Sequence, residues 1–236
     1  MLSKKNLSIC FLALLSLAGM LSAARADGYS KSFRLPAESV RLEVVNKMGS
    51  ISVNVAEGNT LSISAKQADA PVSATQSAQG NVKVEVTGNA TVDLTINVPV
   101  NTALDLTCIM GEISVRNVGG PVRAITTEGN ILVSGVRTAK VEASSKTGDV
   151  TFSGDILAGG NYLLKSFSGR VSATLPAAAS YTLSASSNQG GIDVGGMSFA
   201  KQTDRQVEGA NGNGDVAART TVKLWTQEGT IQLRRR

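Results

Sequence analysis

Apolar and polar side chains alternate along most of this chain, and recurrent glycines bring the alternation back into the same columns. With Gly111, Gly129, Gly148 and Gly169 aligned, Leu104, Val122, Val141 and Tyr162 stand seven residues earlier. Leu106, Ala124, Ala143 and Leu164 stand five earlier, and Cys108, Thr126, Ser145 and Ser166 three earlier. Ile113, Ile131, Val150 and Val171 follow two after the glycine, then Val115, Val133, Phe152 and Ala173 four after. On each side of the glycine the columns lie two residues apart, which is the side-chain period of a β-strand. Each copy therefore predicts a strand, a corner at the glycine and a second strand.

The register extends in both directions. Around Gly49 the columns hold Leu42, Val44, Asn46, Ile51 and Val53; around Gly190, Leu183, Ala185, Ser187, Ile192 and Val194; around Gly229, Val222, Leu224, Thr226, Ile231 and Leu233. A weaker copy surrounds Gly80, with Ser73, Thr75, Ser77, Val82 and Val84. From Gly111 to Gly190 the glycines are 18, 19, 21 and 21 residues apart, and a period near 20 residues is the mark of a stacked solenoid. The two 31-residue intervals, Gly49 to Gly80 and Gly80 to Gly111, are accounted for by one extra strand per repeat. Gly119-Gly120-Pro121 and Gly159-Gly160-Asn161 mark a second turn in their repeats. The pattern is poorest from Gln67 to Gly80 and lapses from Gly195 to Ala217, which reads as an excursion loop in preference to a degenerate rung. That segment sets Lys201, Asp204, Arg205 and Glu208 beside Met197 and Phe199, and is expected to fold over an end or edge of the stack. The fold expected is all-β: a stacked-strand solenoid, a β-helix-like roll, with repeats of about 20 residues in a single domain over 27–236.

Residues 1–26 read as a cleaved signal peptide. Lys4 and Lys5 precede an apolar run from Leu7 to Leu21 that is short for a membrane span, and Ala24-Arg25-Ala26 supplies small residues for cleavage. Cys10 lies inside the run and not after it, which argues against a lipid anchor. The full chain carries 23 basic and 18 acidic residues; Lys4, Lys5 and Arg25 leave with the signal, so 20 against 18 remain, a net +2. That balance gives no case for nucleic acid, and the closing Arg234, Arg235 and Arg236 read as a soluble frayed end. Only Cys108 survives processing, so stability rests on the stacked core and not on an intramolecular disulfide. There is no histidine, which removes the usual general base at neutral pH.

Three groups of residues bear on chemistry. Glu112, Asn130 and Asp149 follow successive glycines and could line up as oxygen ligands for calcium, but glycine followed by Asn or Asp is also ordinary turn chemistry, and that reading is preferred. Asp105, Arg123 and Glu142 share an outward column; convergent carboxylates could act on a glycan, but their alternating sign reads as a ladder of exposed ion pairs. Cys108 alternates inward and has no histidine to activate it, so it reads as a small core residue. A membrane barrel is disfavoured because the strands are short and aromatic girdles are missing. No catalytic, cofactor or metal residue is assigned.

The run Leu94-Thr95-Ile96-Asn97-Val98-Pro99, then Leu104-Asp105-Leu106-Thr107 and the Gly-x-Ile/Val units, resembles the bacterial putative-adhesin domains of unknown function also called toastrack domains. The closing Val222–Leu233, with its Thr-Gln-Glu-Gly-Thr-Ile, is similar to the way such domains end, and the resemblance covers most of Ser39–Leu233. It implies an exported protein of stacked strands and offers no catalytic motif to carry over. The function expected is therefore a non-enzymatic, adhesin-like protein of the cell envelope, periplasmic, surface-exposed or secreted. It would present a binding surface to envelope proteins or polysaccharide. The alternative is a polysaccharide-acting β-helix hydrolase or lyase.

Overall fold

The computed structural model describes residues 28–36, 40–66, 71–212, 215 and 220–236; the segment 1–26 read as a signal peptide lies outside them. The strands begin with β1 (Ser30–Arg34), β2 (Arg41–Met48), β3 (Ile51–Val55), β4 (Thr60–Ala65), β5 (Val72–Gln76), β6 (Val82–Val86) and β7 (Leu94–Val98). They continue with β8 (Ala103–Met110), β9 (Ile113–Arg116), β10 (Val122–Glu128), β11 (Ile131–Thr147), β12 (Val150–Ser168) and β13 (Val171–Leu175). The last are β14 (Tyr181–Gln189), β15 (Ile192–Asp193), β16 (Lys201–Gln202), β17 (Gln206–Asn211), β18 (Thr221–Glu228) and β19 (Ile231–Arg235). The chain is all-β, as its alternation predicts.

Each copy of the repeat, except that around Gly80, folds as one rung. The strand before the glycine joins one parallel sheet, the strand after it joins a second, and their inward columns meet in the core. β11 and β12 are long because they bend through the far corner of the rung: their first halves lie in the second sheet and their second halves in the first. Of the expected second turns, Gly119-Gly120-Pro121 separates β9 from β10, while Gly159-Gly160-Asn161 lies within β12. The far corner is held by Tyr162, whose hydroxyl donates to the Thr138 carbonyl at 2.5 Å and accepts from the Leu157 N–H at 2.7 Å. Its ring packs on Phe152 at a centroid distance of 5.8 Å. Large and small side chains alternate unevenly down the core, as in Leu106, Ala124, Ala143, Leu164, Leu224 and Ala185, so each rung fills what its neighbours leave.

The rungs do not stack in chain order. The first sheet runs β5, β6, β2, β8, β10, β11, β12, β18, β14, β17, β16, with β5, β17 and β16 antiparallel to the strands they pair with. The second runs β1, β4, β7, β3, β9, β11, β12, β13, β19, β15, with β1 and β4 antiparallel. The pair β2–β3, early in sequence, therefore sits between β6–β7 and β8–β9. The pair β18–β19, last in sequence, is inserted between β12–β13 and β14–β15.

Three expectations change. Gly80 is not an anchor: it closes the β5–β6 hairpin, donating its N–H to the Ser77 carbonyl at 2.9 Å. The corner of the β6–β7 rung falls at Val92, whose carbonyl stands against Gly49. The segment from Gly195 is neither a loop nor a rung. Its described part forms the β16–β17 hairpin along the edge of β14, burying Val207 and Met197, so it covers an end of the stack as expected; residues 213–214 and 216–217 lie outside the described residues. Arg234–Arg236 are not a frayed end: Arg234 and Arg235 continue the pairing of β19 with β13. Arg234 pairs with Asp193 at 2.6 Å, Arg235 donates to Asn211 Oδ1 at 2.7 Å, Arg236 pairs with Asp155, and the Arg236 N–H donates to the Leu175 carbonyl at 3.0 Å.

Candidate functional site

The glycine corner comes first, because it decides which side chains are occupied by the fold. Gly129 and Gly148 have φ of 146° and 141°, where side chains are strained. A Cβ on either would also stand on the carbonyl oxygen of the glycine in the neighbouring rung. These inward carbonyls are taken up by the column three before the glycine. Thr126 donates to Gly111 (3.3 Å), Ser145 to Gly129 (2.8 Å), Ser166 to Gly148 (2.8 Å), Thr226 to Gly169 (2.9 Å) and Ser187 to Gly229 (2.9 Å).

Cys108 is a member of the same ladder, its Sγ 3.3 Å from the Gly49 carbonyl. Burial pushes its thiol up to about 11, against the opposing backbone hydrogen bonds of Met110 and Ile109. The thiol is a buried structural donor and not a nucleophile. Glu112, Asn130 and Asp149 do fall on consecutive rungs, but the last two serve the backbone. Asn130 Oδ1 accepts from the Asp149 N–H and Asp149 Oδ1 from the Arg170 N–H, both at 2.8 Å. Among the described residues no cluster of three or more His, Cys, Asp or Glu side chains is placed to hold a metal.

The charged column lies on the outer face of the first sheet. Asp105, Arg123 and Glu142 lie on it in register, one per rung. Arg123 reaches Asp105 at 2.9 Å and Glu142 at 3.7 Å, and Arg41 pairs with Asp105 from the other side. Partial burial pushes the Asp105 carboxyl up, and hydrogen bonds from Arg41 and Arg123 more than offset it, leaving Asp105 below the usual carboxylate range. The ladder continues outward to Glu43 and Lys83, 3.8 Å apart.

Beyond Glu142 the face changes character. The same column proceeds through Leu163, Lys223 and Ser184, and the next through Ser144, Lys165, Trp225 and Ser186. Leu163, Lys165, Ser184, Ser186, Lys223 and Trp225 line a shallow groove of about 310 Å³. Phe167, 47% exposed, lies on the same face. Sequence reasoning missed Trp225, although it is the only tryptophan and stands at an outward position of its strand. An apolar ring on an outward column was the available signal.

An all-β stack of parallel rungs, closed at both edges of the first sheet by antiparallel strands, defines a β-solenoid fold. The chain belongs to the Toastrack DUF4097 family, whose sequence model matches residues 30–234. No curated protein matches the chain. Among solved structures it is similar to a putative cell adhesion protein from Clostridium sporogenes, at 13% identity and a TM-score of 0.54 over 89% of this chain and 100% of that one. A putative adhesin from Bacteroides fragilis gives 12% identity and a TM-score of 0.45 over 89% and 97% of the two chains. The first of these likenesses supports the fold.

Proposed function

We propose that the chain is a non-enzymatic, exported, adhesin-like protein of the cell envelope, periplasmic or at the surface. Its binding face is the outer side of the first sheet. The observation that carries this is the continuity of that face, on which eight parallel rungs present side chains in register while antiparallel strands cover both edges of the sheet. Such a surface presents many weak contacts at fixed spacing, about 4.8 Å from rung to rung, which suits an extended partner. The name of the Clostridium sporogenes protein, a putative cell adhesion protein, points the same way. So does the apolar run with its small-residue cleavage site at the start of the chain.

A glycan-acting hydrolase or lyase is the alternative. Asp105, the carboxylate at the centre of the outer ladder, is held ionised by two arginines, which suits an ion pair and not a proton donor. Cell fractionation with N-terminal sequencing tests the location: the mature protein is expected in an envelope or secreted fraction, starting near Asp27. Recovery of the uncleaved chain from the cytoplasm overturns the proposal. Purified protein is expected to give no reducing ends or unsaturated products from a polysaccharide panel, and turnover abolished by Asp105→Asn would establish the alternative.

A further inference from the structure

We infer that the groove around Trp225 binds a linear acidic polysaccharide, a chain of uronate type. This deepens the proposed function and rests on it. Charge on the outer face is matched toward both edges of the sheet, with Lys201 and Glu208 3.8 Å apart beside Ser184, and unmatched between them. Toward β5, basic side chains are matched to carboxylates: Lys83 to Glu43, Arg41 and Arg123 to Asp105, and Arg123 again to Glu142. Past Glu142, Lys146, Lys165 and Lys223 are exposed, and none has a carboxylate within ion-pair distance among the described residues. These three lysines occupy three consecutive rungs, β11, β12 and β18. Their cations thus recur along the direction in which a chain crossing the strands would run.

The apolar side chains lie among these cations and not apart from them. Trp225 is flanked by Lys165 on one neighbouring strand and Ser186 on the other, with Phe167 exposed nearby on β12. Asn188 and Gln227, joined at 2.6 Å, border them with amide donors and acceptors. An aromatic plane, hydroxyls, amides and unpaired ammonium groups together match a sugar's apolar face, its hydroxyls and its carboxylates. A protein partner fits less well, since the centres of protein interfaces are depleted in lysine.

Trp225 is the only tryptophan, so its fluorescence reports on the groove directly. The mature protein would be titrated with oligogalacturonate, with neutral dextran of similar length and with single-stranded DNA of matched charge. A saturable emission change is expected with oligogalacturonate, weakening as salt is raised, with little response to dextran or DNA. The variant Lys165→Glu/Lys223→Glu changes only exposed positions and is expected to keep its β circular dichroism while binding about tenfold or more weakly. Trp225→Phe, followed by calorimetry, is expected to weaken binding as well. No response to oligogalacturonate, an equal response to dextran or DNA, or binding indifferent to the lysine reversals overturns the inference. If the protein is found in the envelope and that result is negative, the acidic glycan fails and the envelope reading stands. A cytoplasmic location with positive titration sinks the envelope reading alone.

Discussion

At the scale of single residues, the stack depends on the corner glycines and the donors that face them. Gly129 and Gly148 combine positive φ with a neighbouring carbonyl where Cβ would go. Alanine at either is expected to destabilise by about 2–4 kcal/mol, a fall in Tm of roughly 4 °C or more. Gly159 has φ of 76° but open space around its Cβ position, so Gly159→Ala is expected to remove only about 1 kcal/mol. Thermal melts of the three variants check the ordering; equal losses would mean that conformation, and not the close stack, is what glycine supplies. Removing the hydroxyl in Ser145→Ala leaves the Gly129 carbonyl without its side-chain donor and is expected to cost about 1–3 kcal/mol. Cys108→Ser keeps a donor and should be tolerated. The Cys108 thiol, raised to about 11 by burial, is about one part in a thousand thiolate at pH 8. A thiol reagent should therefore react slowly with the native protein at pH 8 and promptly once it is unfolded. Because folding raises this pKa above its ordinary value of 9.0, the stability it contributes is intact below pH 9 and declines as pH rises toward 11.

At the scale of elements, two segments decide how the stack is closed. β17 covers the edge of β14 with six residues, and β16 covers it in turn with only two, a short edge that discourages further pairing. Replacing 201–214 with a short Gly-Ser linker bares the β14 edge and exposes Tyr181 and Met197. Sedimentation should then show self-association while the far-ultraviolet β signal is largely retained. The unchanged protein's sedimentation behaviour in the variant would show that the hairpin is not an edge cover. The β18–β19 pair is different in kind, since it lies inside both sheets. Its insertion means that the rung β14–β15 has only the β16–β17 hairpin beside it until the final strands are in place.

At the scale of the molecule, the alternation made the strands, the corner glycines and the inward column legible because each is a local property with a period of two. Rung order was not legible. Every rung carries the same kind of residue in each column, so alignment cannot say whether β18–β19 follows β14–β15 or slips between it and β12–β13. Gly80 was misread for a related reason: a hairpin glycine and a corner glycine look alike when the flanking residues alternate. Arg234–Arg236 suggested a loose end only because basic residues at a terminus usually are one, whereas β13 pairs with the closing strand and each arginine finds a side-chain partner. The outer ladder of Asp105, Arg123 and Glu142 followed from parity alone. Trp225 shares that parity, but its column, Ser144, Lys165, Trp225 and Ser186, has no alternation of charge to single it out.

Recognition on the outer face of the first sheet, at the rungs around Trp225, can be tested in intact cells. A photo-crosslinking amino acid at position 167, on that face, can be compared in intact cells with one at position 153, outward on the second sheet. Adducts with an envelope component are expected from position 167 and none from position 153. Adducts from position 153 alone, or from cytoplasmic components at either position, would contradict recognition on that face.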